Sequence, residues 1–359
     1  MIKRSWVEIN LDVLASNYSI YKSLIPSTQE IMAVVKADAY GHGEGKVAKK
    51  LQELGCKHFA VSNIEEAILL READVNGQIL ILGYTPISSA EELLNYDITQ
   101  ALLSEDYAER LKDRGIKAQF AIDTGMNRIG LDADNPEECE RIIRKYASSF
   151  DLTGMFTHLC VADTESEKGF TSSQIAKFKA ITEKVNGLKL PYIHCMNSAG
   201  GMWCEPYGNL TRLGIILYGL KPDYTNTLPT GIKPALEWKS VISMIKKVRP
   251  GETVGYGRAY KVDKEMTVAT IPTGYADGYN RLLSNNGKVM IKGQPAPIVG
   301  RVCMDQMMVD VTGLDVKFED EVTLLGIGYN ADDMAHDIGT IGYEVICDIS
   351  KRVPKKYCD

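Results

Sequence analysis

HFAVSNIEEAILLREADVNGQILILGY (58–84) holds two short apolar runs, HFAVS (58–62) and ILILGY (79–84), on either side of one amphipathic stretch, NIEEAILLREAD (63–74). Near-continuous apolar runs of this length suit strands buried on both faces of a parallel sheet. The stretch between them opens on Asn63 with acids behind it, as helix starts prefer. The segment reads as strand, helix, strand. The same alternation continues outward on both sides. Upstream lies IMAVVK (31–36); downstream lie ITQALLS (98–104), AQFAID (118–123), LTGMFTH (152–158), YIHCMNS (192–198) and LTRLGII (210–216). Helical patterns such as SSAEELLNYD (88–97), EDYAERLKDRG (105–115) and SQIAKFKAITEKVNG (173–187) separate them. Eight strands interleaved with helices predict an α/β fold, a (β/α)8 barrel of the TIM type rather than an open doubly wound sheet.

Beyond about residue 230 the pattern changes. WKSVISMIKKVRP, TVATIPTGY, GKVMIKG, APIVGRVCMDQMMVDV and EVTLLGI are β-branched and alternating, with turn dipeptides such as Asn286-Gly287, and the first convincing helix is DDMAHDIG (332–339). The expected organisation is a barrel over residues 1–230 and a smaller β-rich domain over 231–359. RSWVEINLD, near the N-terminus, has strand character and is a candidate to pack with the second domain.

Bulk properties narrow the function classes. A chain of 359 residues has room for two domains, and its net charge of -6 gives no basic patch for nucleic acid. No run is apolar for long enough to span a bilayer. The eight cysteines are scattered, without a CxxC pair or metal-type spacing, which predicts reduced thiols, a cytoplasmic setting and no metal site.

The ends of the predicted strands carry the chemistry. Lys36, Tyr84, Ser104, Asp123 with Arg128, His158, and Asn197 with Ser198 end or closely follow an apolar run, and Arg212 lies within the last one. The C-terminal strand ends of such a barrel form its active-site mouth. A lysine at a strand end is costly to bury unless it has a partner or a covalent use; partial burial favours the neutral amine that attacks an aldehyde cofactor. Snorkelling into solvent is the commoner fate of a lysine, so Lys36 has weight through its neighbours. GHGEGK (41–46) is not a phosphate loop: its spacing is too short and Val47 replaces the required Ser or Thr.

With the barrel in place, VVKADAYGHG (34–43) resembles the cofactor-lysine motif of the alanine racemases, which are fold-type III pyridoxal-phosphate enzymes. The resemblance runs the length of the chain, through DTGMNRIG (123–130), FTHLCVADTES (156–166), HCMNSAG (194–200), TRLGIILYGL (211–220), VGYGRAYKV (254–262), IPTGYADGYNR (271–281), VGRVCMDQMMVDV (299–311) and TIGYEVICDISKRVP (340–354). It implies a pyridoxal 5'-phosphate enzyme that interconverts L- and D-alanine, a peptidoglycan precursor, and works as a homodimer with shared active sites. Lys36 would hold the cofactor and act as base on one face of the substrate α-carbon. Tyr256, from the second subunit, would act on the other face; racemisation needs two such positioned groups. A tyrosine titrates near pKa 10, so this role requires positive charge beside it. Arg212 would bind the pyridine nitrogen and leave it unprotonated, which weakens the electron sink and restrains side reactions. His158 would stand beside the ring as a partner of Arg212. Tyr40, Asn197, Ser198, Gly214, Ile215 and Tyr343 complete the implied cofactor set, the phosphate falling to Tyr40, Ser198, Gly214, Ile215 and Tyr343. Arg128 would meet the substrate carboxylate, with Met304 and Asp305 lining the pocket from the partner subunit. Tyr275, Arg281 and Arg301 resemble an entryway.

One position departs from the pattern. Many alanine racemases carry a carbamylated lysine two residues before the Asp of the DTG string, and Ala121 stands there. Either a bound ion or another carboxylate fills the gap, or Arg128 is held less firmly; the expectation carried forward is a buried or half-buried Arg128 guanidinium with a small anion such as chloride beside it. A serine racemase of the same fold would use the same Lys36, Tyr256 and Arg212 but is disfavoured by the bulk of Tyr343; a fold-type III amino-acid decarboxylase, a lyase, is a second class, for which no WGPTC-like string is present. A non-catalytic cofactor carrier would end near residue 230 and lack Tyr256.

Overall fold

The computed structural model describes residues 4–358. These form two compact units. One comprises Asn17–Ala39 and Gly43–Leu217; the other gathers the described residues of Met1–Ser16, Tyr40–His42 and Tyr218–Asp359. The division crosses the expected boundary at 230/231, because residues 4–16 and 218–230 group with the C-terminal unit.

The first unit is a nearly closed barrel. Its eight strands are Glu30–Val34, His58–Val61, Gln78–Ile81, Thr99–Leu102, Lys117–Asp123, Asp151–Phe156, Tyr192–His194 and Leu210–Leu213, and every one overlaps a run read from sequence. Their pairing is parallel, with Leu210–Leu213 returning to Glu30–Val34. The strand His58–Val61 is buried at every position, as a doubly covered parallel strand requires. The last seam, between Tyr192–His194 and Leu210–Leu213, is joined by isolated bridges, Met196 to Thr211 in parallel and His194 to Gly208 antiparallel, with Arg212 N donating to Met196 O at 3.0 Å and Asn209 N to Ile193 O at 2.8 Å. Helices start where short polar side chains accept from the first turn: Asn63 from Glu66 N, Ser104 from Tyr107 N, Asn135 from Glu138 N.

In the second unit a six-stranded sheet places Ser5–Asn10 between Leu236–Val241 and Lys355–Cys358. The N-terminal strand thus joins the β-rich unit. A three-stranded sheet of Met244–Val248, Met266–Ile271 and Met307–Asp310 encloses an apolar core that includes Val248, Val254, Val268 and Val299. The expected helix is present at Ala331–Ile338, closed by Gly339 at φ 73°, and a second follows at Gly342–Cys347.

Candidate active site

Lys36 follows the strand Glu30–Val34 and is half-buried. Past it the chain turns left-handed for four successive non-glycine residues, Ala37, Asp38, Ala39 and Tyr40, at φ 52°, 55°, 51° and 53°. Each costs roughly 1–2 kcal/mol in that region, so such a turn persists only where its surroundings impose it. Ala39 N donates to Val35 O at 3.0 Å, Gly43 N to Asp38 O at 2.7 Å and Glu44 N to Asp38 Oδ1 at 3.2 Å.

Across the same barrel mouth, Arg212 is 3% exposed. Nη1 donates to His194 Nδ1 at 2.8 Å and His194 O at 3.2 Å; Nη2 donates to Thr157 O at 2.7 Å, His158 Nδ1 at 3.2 Å and Cys195 O at 3.3 Å. Every acceptor is neutral, and among the described residues Nε–H is left available. The ring of Phe156 lies 5.7 Å from the guanidinium carbon. Burial lowers the Arg212 pKa to about 10, still a cation at neutral pH. His158 is pushed down to about 3, by burial first and then by the charges of Arg212, Arg128 and Lys36. Of these groups Arg212 is in direct contact with the imidazole, Nη2 lying 3.2 Å from Nδ1. His194, fully buried, is held well below its ordinary range by the same burial and by Arg212. Because its Nδ1 accepts from Arg212, its Nε2–H donates to Gln119 Oε1 at 2.7 Å.

The other barrel residues divide by what their side chains already do. Ser198 Oγ accepts from Gly214 N at 2.8 Å, just ahead of the short helix Ile215–Tyr218, so these three lie together. Asn197 is a helix cap: Oδ1 accepts from Gly200 N at 2.8 Å and Nδ2 donates to Leu159 O at 3.0 Å. Both ends of its amide thus hold the fold, with one N–H and one oxygen lone pair beyond these two bonds. Arg128 is exposed and, among the described residues, has no ion pair, while Ala121 is 1% exposed. The half-buried guanidinium anticipated from sequence is not seen.

In the second unit, Tyr40 packs against Tyr218 and Tyr343, with ring centroids 4.8 Å and 6.1 Å away. Gly41, at φ 78°, brings its backbone so close to Ile346 that a Cβ would stand 2.4 Å from that carbonyl oxygen. Tyr256 is 70% exposed on a tight turn between Gly255 (φ 77°) and Gly257 (φ 69°). The Arg301 guanidinium packs over Gly257, so a cation borders that turn. Tyr256 lines an open groove with Thr253, Arg258, Cys303, Gln306 and Met308. Met304 is 53% exposed, and Asp305 pairs with Arg352 at 2.9 Å. Tyr275 N and Ala276 N donate to the carbonyls of Cys303 and Met304 at 3.0 Å and 2.9 Å, placing the implied entryway beside the implied pocket pair.

Two regions of the chain match family models: residues 9–222 match the alanine racemase N-terminal domain, and residues 235–357 the alanine racemase C-terminal domain. The chain belongs to the alanine racemase family. Similarity to an alanine racemase of Clostridium perfringens is 42% identity over 99% of this chain and 96% of that protein. Among solved structures, the alanine racemase of Clostridium difficile superposes with a TM-score of 0.94 at 38% identity, covering 100% of this chain and 96% of that one. The alanine racemase of Bacillus anthracis, solved with bound L-Ala-P, gives 0.92 at 33% identity over 100% and 96% of the two chains. Alanine racemase family membership thus spans both units. Sequence reading missed the residues that hold these groups in place. His194, Gln119 and the fully buried Gln174, which donates to Thr124 Oγ1 and His158 O at 3.1 Å each, had one signal: a polar side chain inside an apolar run or on the buried face of a helix.

Proposed function

We propose that this chain interconverts L- and D-alanine with pyridoxal 5'-phosphate as cofactor. The observation that carries the reading is the match of both units to the alanine racemase domains, with Lys36 just past the end of its strand and, in the same barrel, the buried Arg212 held by neutral acceptors beside His158. An anionic group with an acceptor nitrogen fits that donor set, and Arg212 Nε–H is a donor suited to the nitrogen. When bound, the cofactor supplies a conjugated ring that spreads negative charge left on the substrate α-carbon. Lys36 would hold it through Nζ, and the same amine would take or return the α-proton on one face. Tyr256 moves the proton on the opposite face through its hydroxyl. The exposure of Tyr256 and Met304 supports their use by a second copy of the chain, in a homodimer with shared sites. Arg212, which keeps its proton, would hydrogen-bond the ring nitrogen without protonating it and so would restrain side reactions. Ser198, with the backbone at Gly214 and Ile215, is assigned to the phosphate, and the hydroxyls of Tyr40 and Tyr343 to the same anion. Arg128 is assigned to the substrate carboxylate.

Borohydride reduction of the loaded protein, followed by peptide mapping, should place the cofactor label on Lys36. A label on any other lysine overturns the assignment. Parallel assays of L-alanine and L-serine should favour alanine; equal rates would argue for a broader racemase. Among the described residues no helix is long and apolar enough to cross a membrane.

A further inference from the structure

We propose that Glu66 is a positioning residue for Lys36, pinning the first peptide of the left-handed turn so that the lysine leaves its strand in one direction. The inference rests on Lys36 being the cofactor-holding group.

Glu66 lies in the first turn of the helix Ile64–Glu72, where its own N–H is capped by Asn63 Oδ1 at 2.9 Å. Its carboxylate is spent entirely on backbone. Oε1 accepts from Ala37 N at 2.8 Å, and Oε2 accepts from Ser62 N at 2.7 Å. Ala37 and Ser62 stand just beyond two neighbouring parallel strands, Glu30–Val34 and His58–Val61, which are in register at Val34 and Ala60. Val35 N continues the ladder to Ala60 O at 2.9 Å. In a parallel ladder the next donor toward the same neighbour is two residues on, at Ala37. There the neighbouring strand is replaced by the Glu66 carboxylate, which joins both chain ends.

That splice sits where the backbone is most costly. Ala37 is the first residue of the turn, and its φ of 52° has no glycine to ease it. Charge-assisted hydrogen bonds to a carboxylate are shorter and stronger than those between neutral groups, and here two of them oppose that cost. Lys36 is the residue between the last ladder amide and the pinned one. Its side chain therefore leaves a backbone held on both sides. An amide in place of the carboxylate offers one acceptor and turns a donor toward the other N–H, so Glu66→Gln breaks the splice at almost constant volume.

The test uses the cofactor-loaded protein. Glu66→Gln should lower kcat for L-alanine by about tenfold with KM within about twofold, as misplacement of a reacting group does. Hydroxylamine should strip the cofactor from the variant about tenfold faster, read as loss of visible absorbance, because a poorly aimed amine recaptures it less well. Glu66→Asp keeps the charge but is too short to reach both amides, so it should fall between; it also serves if Glu66→Gln does not fold. Exposed Glu65→Gln should leave both readouts unchanged. A folded Glu66→Gln with kcat and stripping rate within about twofold of the parent overturns the proposal. So does a kcat that falls only with melting temperature while stripping is unchanged, since that marks a purely structural role. Labelling of wild type at a lysine other than Lys36 overturns the cofactor reading itself.

Discussion

His158 shows how one residue can be decided by its neighbours. With its pKa pushed down to about 3 by burial and three cations, the folded imidazole stays neutral while an unfolded one takes a proton below about 6.5. The sign follows from that difference: the unfolded state binds the extra proton, so stability declines as pH falls from about 6.5 toward 3. His158→Gln should remove about 1–2 kcal/mol of the loss between pH 7 and pH 5, measured by denaturant midpoints. An unchanged pH slope would mean that His158 titrates normally. Arg128 corrects an expectation at the same scale. Its exposure removes the desolvation argument for a chloride at Ala121, and what remains is the missing lysine and the absence of an ion pair among the described residues. Activity at matched ionic strength in chloride and in gluconate separates the possibilities. A chloride-specific gain that Ala121→Lys abolishes would keep the anion site; equal rates would dismiss it.

Among the elements, the short turn Tyr275–Asp277 depends on one buried carboxylate. Asp277 is 0% exposed, takes both Nη atoms of Arg4, accepts from Arg352 Nε at 3.1 Å and receives Gly274 N at 3.0 Å. Arg352 then reaches Asp305 at 2.9 Å. Asp277→Asn leaves Arg4 without this counter-charge and Arg352 with Asp305 alone; because both guanidinium groups reach solvent, it should cost about 1–3 kcal/mol in thermal or denaturant unfolding. A loss under about 1 kcal/mol would mean that solvent screens the cluster. The barrel elements were legible because doubly buried parallel strands carry little besides apolar residues, and HFAVS and ILILGY are two of them. The helix Gly342–Cys347 was not read as one, since GYEVIC mixes glycine and β-branched residues that local propensity does not favour in helices. Ser5–Asn10 pairs across more than 200 positions with Leu236–Val241, and no local pattern names so distant a partner. Glu66 was invisible for a related reason: it serves two backbone amides, and an acid in a first helical turn is unremarkable from sequence alone.

For the whole molecule, the assignment of Lys36 and Tyr256 to different subunits makes a prediction about mixtures. Lys36→Ala and Tyr256→Phe proteins, each inactive, should regain part of the activity when their subunits exchange, because one site of each mixed dimer would be intact. Absence of recovery with exchange demonstrated by mass would mean that each site draws both bases from one chain. Motif order named the candidate site residues, whereas the hydrogen-bonded frame of Gln119, His194 and Gln174 became visible only in three dimensions.

The seam between Tyr192–His194 and Leu210–Leu213 has a consequence for how the barrel breathes. With only the isolated bridges Met196–Thr211 and His194–Gly208 along that seam among the described residues, the side chain of Arg212 supplements the ladder, reaching the carbonyls of Thr157, His194 and Cys195. Local opening starts where backbone pairing is sparsest, so amide hydrogens over 192–198 and 210–213 should exchange with solvent sooner than those of the fully paired strands. A ligand that touches both Ser198 and Arg212 would act as a clasp across this slit. Loading with pyridoxal phosphate should then slow deuterium uptake there more than anywhere else in the barrel, and the staves of the barrel would be drawn shut by the molecule they hold.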